Sequence, residues 1–125
     1  MNSRIIKFRG RRIANDEWVY GSLLRWPDGD CTILESKDGK NYVWKREIEP
    51  NTVGQYTGLR DTDGREIYEG DIVRTSVAKD AIGVVEWNND QASFVVHMKG
   101  RTQCYPLSKS DKIIGNIHDN PELLR

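Results

Sequence analysis

The chain has 125 residues, enough for one domain of ordinary size whose core needs neither disulfide nor metal to hold it together. Nineteen lysines and arginines balance nineteen aspartates and glutamates, which excludes a global field drawing the molecule onto phosphate backbones or anionic membranes. No apolar run approaches the roughly 20 residues of a spanning helix, and the basic start MNSRIIKFRGRR lacks the apolar stretch of a signal peptide, so a cytoplasmic protein with no membrane partner is expected.

Short runs rich in Val, Ile, Tyr and Trp, broken about every ten residues by Gly, Asp, Asn or Pro, are the punctuation of an all-β protein. Ile6 and Phe8 alternate with Lys7 and Arg9, the period of a strand with one buried face and one wet, basic face. EWVYGSLLRW, ending at Trp26, meets PDGD, where Pro27 presets φ and Gly29 can take positive φ, so the chain should reverse into CTILES. A second reversal at KDGK carries the Asp-Gly pair favoured in hairpins and leads into NYVWKREIE, completing a meander. After Pro50 come the short strand TVGQYTGL and a third Asp-Gly turn at Asp63 and Gly64.

Five further short runs follow, DIVRTSV, AIGVVEWN, ASFVVHMK, RTQCYPL and KIIGNIH, and their tight links suggest a small curled barrel. At the end, DNPELLR offers Asn120 as a cap, Pro121 at the first helical position and Leu123 and Leu124 as an apolar anchor. The expected architecture is a single all-β domain: an antiparallel N-terminal meander over 4–56, an SH3-like half-barrel over 66–118, and a short helical turn over 120–125. No fixed-period repeat is visible.

The stretch GLRDTDGREIYEGDIV holds Asp61, Asp63, Glu66, Glu69 and Asp71 and raises the question of a metal or catalytic site. A calcium loop wants oxygen ligands at positions 1, 3 and 5, glycine at 6 and glutamate at 12; counted from Asp61, Arg65 takes the fifth place, Gly64 comes too early and Ile72 takes the twelfth. With Arg60 and Arg65 as local counter-charges, the carboxylates read as turn formers, and weak metal binding by Asp61, Asp63 and Glu69 is the rival. His97, His118, Cys31 and Cys104 lack the short paired spacing of structural zinc sites, the two cysteines read as ordinary thiols, and His97 alternates with Val96 as if to point outward. No nucleophile elbow is present, so no catalytic residue, metal or cofactor is assigned and a non-enzymatic protein is expected.

Arg4, Lys7, Arg9, Arg11 and Arg12 form the clearest charge cluster. Lined along a strand edge beside an exposed Trp26, they would let single-stranded nucleic acid run along phosphates with a base on the indole. Trp18, Tyr20, Tyr42, Trp44 and Trp87 lie in strand runs, where aromatic residues are expected to build core.

The order of IKFRG, WVYGSLL, TVGQYTGLRDTDGREIYEGDIV, GVVEWN and IIGNIHDNPELL, running from Ile6 to Leu124, resembles the YopX family of phage and prophage proteins. Its most specific pieces are GQYTGL at 54–59, IYEGD at 67–71 and IGNI at 114–117. The resemblance implies a small β-rich fold and an origin in a bacterial mobile element, and it brings no established activity, cofactor or catalytic residue. A neutral, cofactor-free β domain offers mainly sheet edges and apolar patches for recognition, so the expected function is binding a protein partner or a second copy of itself, with weak nucleic-acid binding through the N-terminal basic strand as the alternative.

Overall fold

β-Branched residues alternating with polar ones, cut by Gly-containing turns, give eleven strands in a computed structural model that describes residues 4–78 and 81–125. Residues 1–3 of the basic start lie outside the described residues. By contact the chain divides into two units, Met1–Tyr56 and Thr57–Arg125.

The first unit contains β1 (Phe8–Arg11), β2 (Trp18–Arg25), β3 (Cys31–Glu35), β4 (Val43–Ile48), a 3-10 turn (Pro50–Thr52) and the start of β5 (Gly54–Arg60). Strands β1 to β4 are an antiparallel meander, and β5 returns beside β1 with Phe8 opposite Gln55, giving the order β4-β3-β2-β1-β5. Val19, Cys31, Ile33 and Ile48 form the core, joined by Leu23 and Val53. Opposite Val19 stands Gly10, where an added Cβ would lie 2.4 Å from Ile48 Cγ2, so the small residue lets β4 approach.

One extra residue between Lys45 and Ile48 makes a bulge, with Glu47 at φ 57°, and a bulge bends its strand. The bent end of β4 then meets the end of β1: Ile13 N donates to Glu47 O at 2.9 Å, Glu49 N to Arg11 O at 2.8 Å, and Arg12 bridges Ile48. The sheet therefore curls on itself. Thr52 locks the crossover, its hydroxyl accepting from Arg11 N at 2.8 Å while donating to Glu49 O at 2.6 Å.

The second unit holds the rest of β5, then β6 (Glu66–Tyr68), β7 (Asp71–Arg74), β8 (Ile82–Asn88), β9 (Ser93–Met98), β10 (Cys104–Pro106), β11 (Lys112–Asn116) and a terminal 3-10 turn, Pro121–Leu124. Its sheet runs β10-β9-β8-β7-β11, every pair antiparallel. Ile67, Val73, Val85, Val96 and Met98 form its core. The connectivity of the first unit is thus repeated: a four-strand meander whose fifth strand comes back beside the first. No sequence period announces this, because the shared feature is strand order and not residue identity.

The all-β fold class is observed, with two antiparallel sheets. Three expectations need correction. The sequence period buries Ile6 and Phe8 and wets Lys7 and Arg9, yet Ile6 is 57% exposed and Arg9 only 6%. The residue aimed at the core is Gly10, across from Val19, and Arg9 instead lies 4.8 Å from the Trp18 ring on the other face. Tyr20, Tyr42, Trp44 and Trp87, expected in the core, are all exposed: both core clusters are built from slim side chains, and the rings that are buried include Tyr56 and Tyr68 instead. The helical turn at the C-terminus is present as a 3-10 turn, but Asn120 does not cap it; its Oδ1 accepts from Asn116 N at 3.1 Å.

Candidate functional site

β1 lies between β2 and β5, so the basic cluster does not line a strand edge as the sequence suggested. Lys7, Arg9 and Arg11 share one face by strand alternation, while Arg12 follows β1 on the opposite parity and Arg4 precedes the strand. The shared face is made of cation–ring contacts. Arg9 and Arg11 sit 4.8 and 5.8 Å from the centre of the Trp18 ring, Lys7 is 5.4 Å from Tyr56, and Arg11 Nε is 3.8 Å from Asp16. The arginine charge is therefore engaged within the chain.

Trp26 lies beyond the end of β2, on the same face as Trp18 but eight positions further, about 27 Å at the rise of an extended strand. The rings that the basic cluster contacts are Trp18 and Tyr56, whereas Trp26 pairs with Trp44. Its Nε1 donates to Thr32 Oγ1 at 3.0 Å, which orients the indole, and its neighbour is Trp44 of β4, with ring centres 6.5 Å apart and planes inclined by 30°. Arg46 lies 5.0 Å from the centre of the Trp44 ring. β4 is the outer strand of its sheet, and Tyr42, Val43 and Trp44 on and beside it are 56%, 56% and 47% exposed. On the opposite face of β4 a cavity of about 390 Å³ is lined by Glu35, Lys37, Asp38, Asn41, Val43 and Lys45. Asp38 shapes its rim: the backbone N–H of Asn41, then that of Lys40, hold its carboxyl well below the ordinary carboxylate range. The result is an aromatic sheet edge that sequence reasoning reached only at Trp26, because exposure of Tyr42 and Trp44 depends on which strand ends the sheet.

The acidic stretch has a structural explanation. Asp61 has a fully buried side chain, whose Oδ1 accepts from Asp63 N and Arg65 N, both at 2.9 Å, and whose Oδ2 accepts from Ile113 N at 3.0 Å and faces Arg65 Nη2 at 3.3 Å. Burial alone would raise its pKa, but the Ile113, Arg65 and Asp63 N–H groups and the Arg65 charge outweigh it and hold the carboxyl low. Asp63 lies near Arg65 at 3.8 Å and Lys112 at 3.7 Å, Glu66 lies 3.5 Å from Arg60, and Asp71 accepts from Tyr68 N at 2.7 Å. Asp61 and Asp71 thus bind backbone N–H groups, while Asp63 and Glu66 lie beside cationic side chains, and together they tie a turn to β11 and start β7.

Sequence reasoning set His97 and Cys104 aside for want of paired spacing and missed Glu86, which completes a cluster with them in the second unit. Cys104 of β10 stands directly across from His97 of β9, and Glu86 of β8 reaches the same imidazole diagonally. His97 Nδ1 is 2.9 Å from Glu86 Oε1, and Nε2 is 2.7 Å from Arg101 O. The Arg101 carbonyl, then the Glu86 carboxylate, stabilise the imidazolium and raise its pKa above the usual histidine value. Beside it opens a cavity of about 460 Å³ lined by Val84, Glu86, His97, Met98, Arg101 and Leu124 among others. The signal was invisible in spacing because the three residues come from three strands. Cys31 is buried and Cys104 exposed, both as free thiols, and His118 is outside this group.

Two antiparallel sheets and a terminal 3-10 turn define an all-β protein, and among the described residues no helix is long and apolar enough to cross a membrane. The chain belongs to the YopX family: the family model described as YopX protein matches residues 7–125. In fold it is similar to the crystal structure of protein EF1440 from Enterococcus faecalis, with a TM-score of 0.58 and 21% identity, covering 98% of this chain and 100% of that one. A search of curated proteins returns no match.

Proposed function

We propose that the protein is a non-enzymatic recognition module that binds an extended segment of a partner protein along β4. The observation that carries this reading is the outer position of β4 together with the exposed Tyr42, Val43 and Trp44 and the adjoining Trp26. Ahead of the Glu47–Ile48 end that meets β1, the Val43–Arg46 part of this outer strand presents a sheet edge to which a further strand can add, with the indoles on one face and the cavity on the other to supply selectivity. Arg25, Lys45 and Arg46 flank the two indoles in sequence, so the segment it fits is apolar with acidic side chains interspersed. The family's phage and prophage setting suggests a partner encoded by the mobile element or its host. The repeated strand order, with a 3-10 turn ahead of β5, supports reading each unit as a small SH3-like barrel.

Weak single-stranded nucleic-acid binding is the second reading, favoured by the tilted Trp26–Trp44 pair with Arg46 over one ring. It draws little from Lys7, Arg9 and Arg11, whose charges face rings and an aspartate within the chain. Panning a displayed library of random peptides, then measuring the enriched peptides by calorimetry, tests the first reading. Enriched acidic–apolar peptides that lose binding to Trp44→Ala and to Val43→Pro support it; no enrichment, or binding indifferent to both changes, overturns it. A labelled oligothymidylate in fluorescence anisotropy at low salt tests the second, which fails if no binding is detected or if Trp44→Ala leaves binding unchanged.

A further inference from the structure

We propose that Glu86, His97 and Cys104 form a three-ligand site for one zinc-class divalent cation at the wall of the cavity in the second unit. A carboxylate oxygen of Glu86, a ring nitrogen of His97 and Sγ of Cys104 all lie within 4.8 Å of one another. Tetrahedral coordination with bonds of about 2.0 to 2.3 Å puts ligand atoms about 3.3 to 3.7 Å apart, so small side-chain rotations that widen the 2.9 Å Glu86–His97 contact bring the set to that spacing. The strands supply the scaffold: Cys104 and His97 are a directly opposed cross-strand pair, and Glu86 stands on the next strand.

A second, independent observation points to the same use. Histidines that ligate metals almost always donate their other ring N–H to a carbonyl or carboxylate, which fixes the tautomer and the ring orientation. Nε2 of His97 is 2.7 Å from the Arg101 carbonyl, so Nδ1 is the nitrogen left to face Glu86 at 2.9 Å. The cation takes the place of this direct contact, with Nδ1 and a Glu86 oxygen each turned to it.

Donor chemistry selects the metal. One thiolate, one imidazole and one carboxylate form a mixed S, N, O set that suits zinc, whereas calcium and magnesium require oxygen ligands throughout. The two anionic ligands offset the dication, and this matters because Lys99 and Arg101 line the same cavity and carry like charge. Glu86 and His97 line the cavity of about 460 Å³, and three protein ligands leave a fourth position, the donor count of zinc sites that hold water or an exogenous ligand. The inference is independent of the β4 edge, whose residues lie in the other unit.

Cobalt(II), as a spectroscopic stand-in for zinc, gives the test. The full-length chain, reduced and freed of metal, is titrated with Co²⁺ and the near-ultraviolet thiolate-to-cobalt charge-transfer band is followed. The expected result is saturation at one Co²⁺ per chain, loss of the band on adding Zn²⁺, loss of the band in Cys104→Ser and of stoichiometric binding in His97→Ala, and no change in Cys31→Ala. Circular dichroism of each variant establishes that it is folded, and X-ray absorption of the zinc-loaded protein, expected to give one sulfur among nitrogen and oxygen neighbours, reads the coordination without a substitution. No charge-transfer band, a band that survives Cys104→Ser or His97→Ala in folded protein, or a metal shell without sulfur overturns the proposal.

Discussion

Replacing Asp61 tests how the acidic stretch works. The carboxylate takes three backbone N–H bonds, from Asp63, Arg65 and Ile113, and its side chain is fully buried. Asp61→Asn keeps an oxygen for Asp63 and Arg65 but turns an amide NH₂ toward Ile113 N–H and the Arg65 guanidinium, setting donor against donor. One orphaned N–H costs about 1–3 kcal/mol, and that is the expected loss for Asn. Asp61→Ala removes all three acceptors, and with partial relief by entering water the expected loss is about 3–5 kcal/mol, a large share of the roughly 5–15 kcal/mol that holds a domain together. Urea unfolding followed by circular dichroism at neutral pH measures both. The acid limb supplies a second check. Because the folded pKa of Asp61 lies below its unfolded value near 3.9, its stabilisation is fully present above that value and is lost as pH falls through the lower folded value. The penalty of Asp61→Asn should therefore shrink as pH falls through this window, since the wild-type group is itself becoming neutral. A loss under about 1 kcal/mol for Ala, or an Asn penalty that grows on acidification, would refute the account.

Other consequences follow from packing and from the exposed sites. An added Cβ at Gly21 would lie 2.0 Å from Leu34 O, so Gly21→Ala should cost about 3 kcal/mol or more in urea unfolding, since backbone must move. At Gly58 nothing lies within 4 Å, and only its φ of 90° opposes a side chain, so Gly58→Ala should cost about 1–2 kcal/mol. Ile33→Ala, at a fully buried position, should lose about 2–5 kcal/mol by thermal or urea unfolding. Trp44→Ala, on the exposed outer strand, should change stability by no more than about 1 kcal/mol while removing peptide binding, which separates a recognition role from a structural one. In NMR titration His97 should hold its proton above the ordinary histidine midpoint, and Glu86→Gln should move that midpoint down, with the Arg101 carbonyl retaining part of the effect.

Local rules carried a good part of the fold. Asp-Gly at 38–39 and 63–64 and Pro-Asp-Gly at 27–29 mark reversals because positive φ is cheap for glycine and a neighbouring aspartate can bond the turn's own N–H groups, as Asp38 does with Lys40 and Asn41. The same short-range chemistry makes Asp61 and Asp71 legible as turn formers in the sequence. The all-β class followed from strand composition, and the resemblance over most of the chain agreed with it.

Tertiary structure decided the rest, because it depends on which strand lies beside which. Arg9 is buried because β2 and β5 flank β1 and Trp18 stands opposite Arg11, an arrangement that a two-residue period does not specify. Trp44 and Tyr42 face solvent because β4 ends its sheet and slim side chains such as Ile33 and Val19 already fill the core, so hydrophobicity alone placed them wrongly. Asp61 binds Ile113 fifty-two residues away, and Glu86, His97 and Cys104 meet only once β8, β9 and β10 take their register. Sequence spacing encodes neighbours along the chain; strand order and register create neighbours across it, and the candidate sites of this protein are of the second kind.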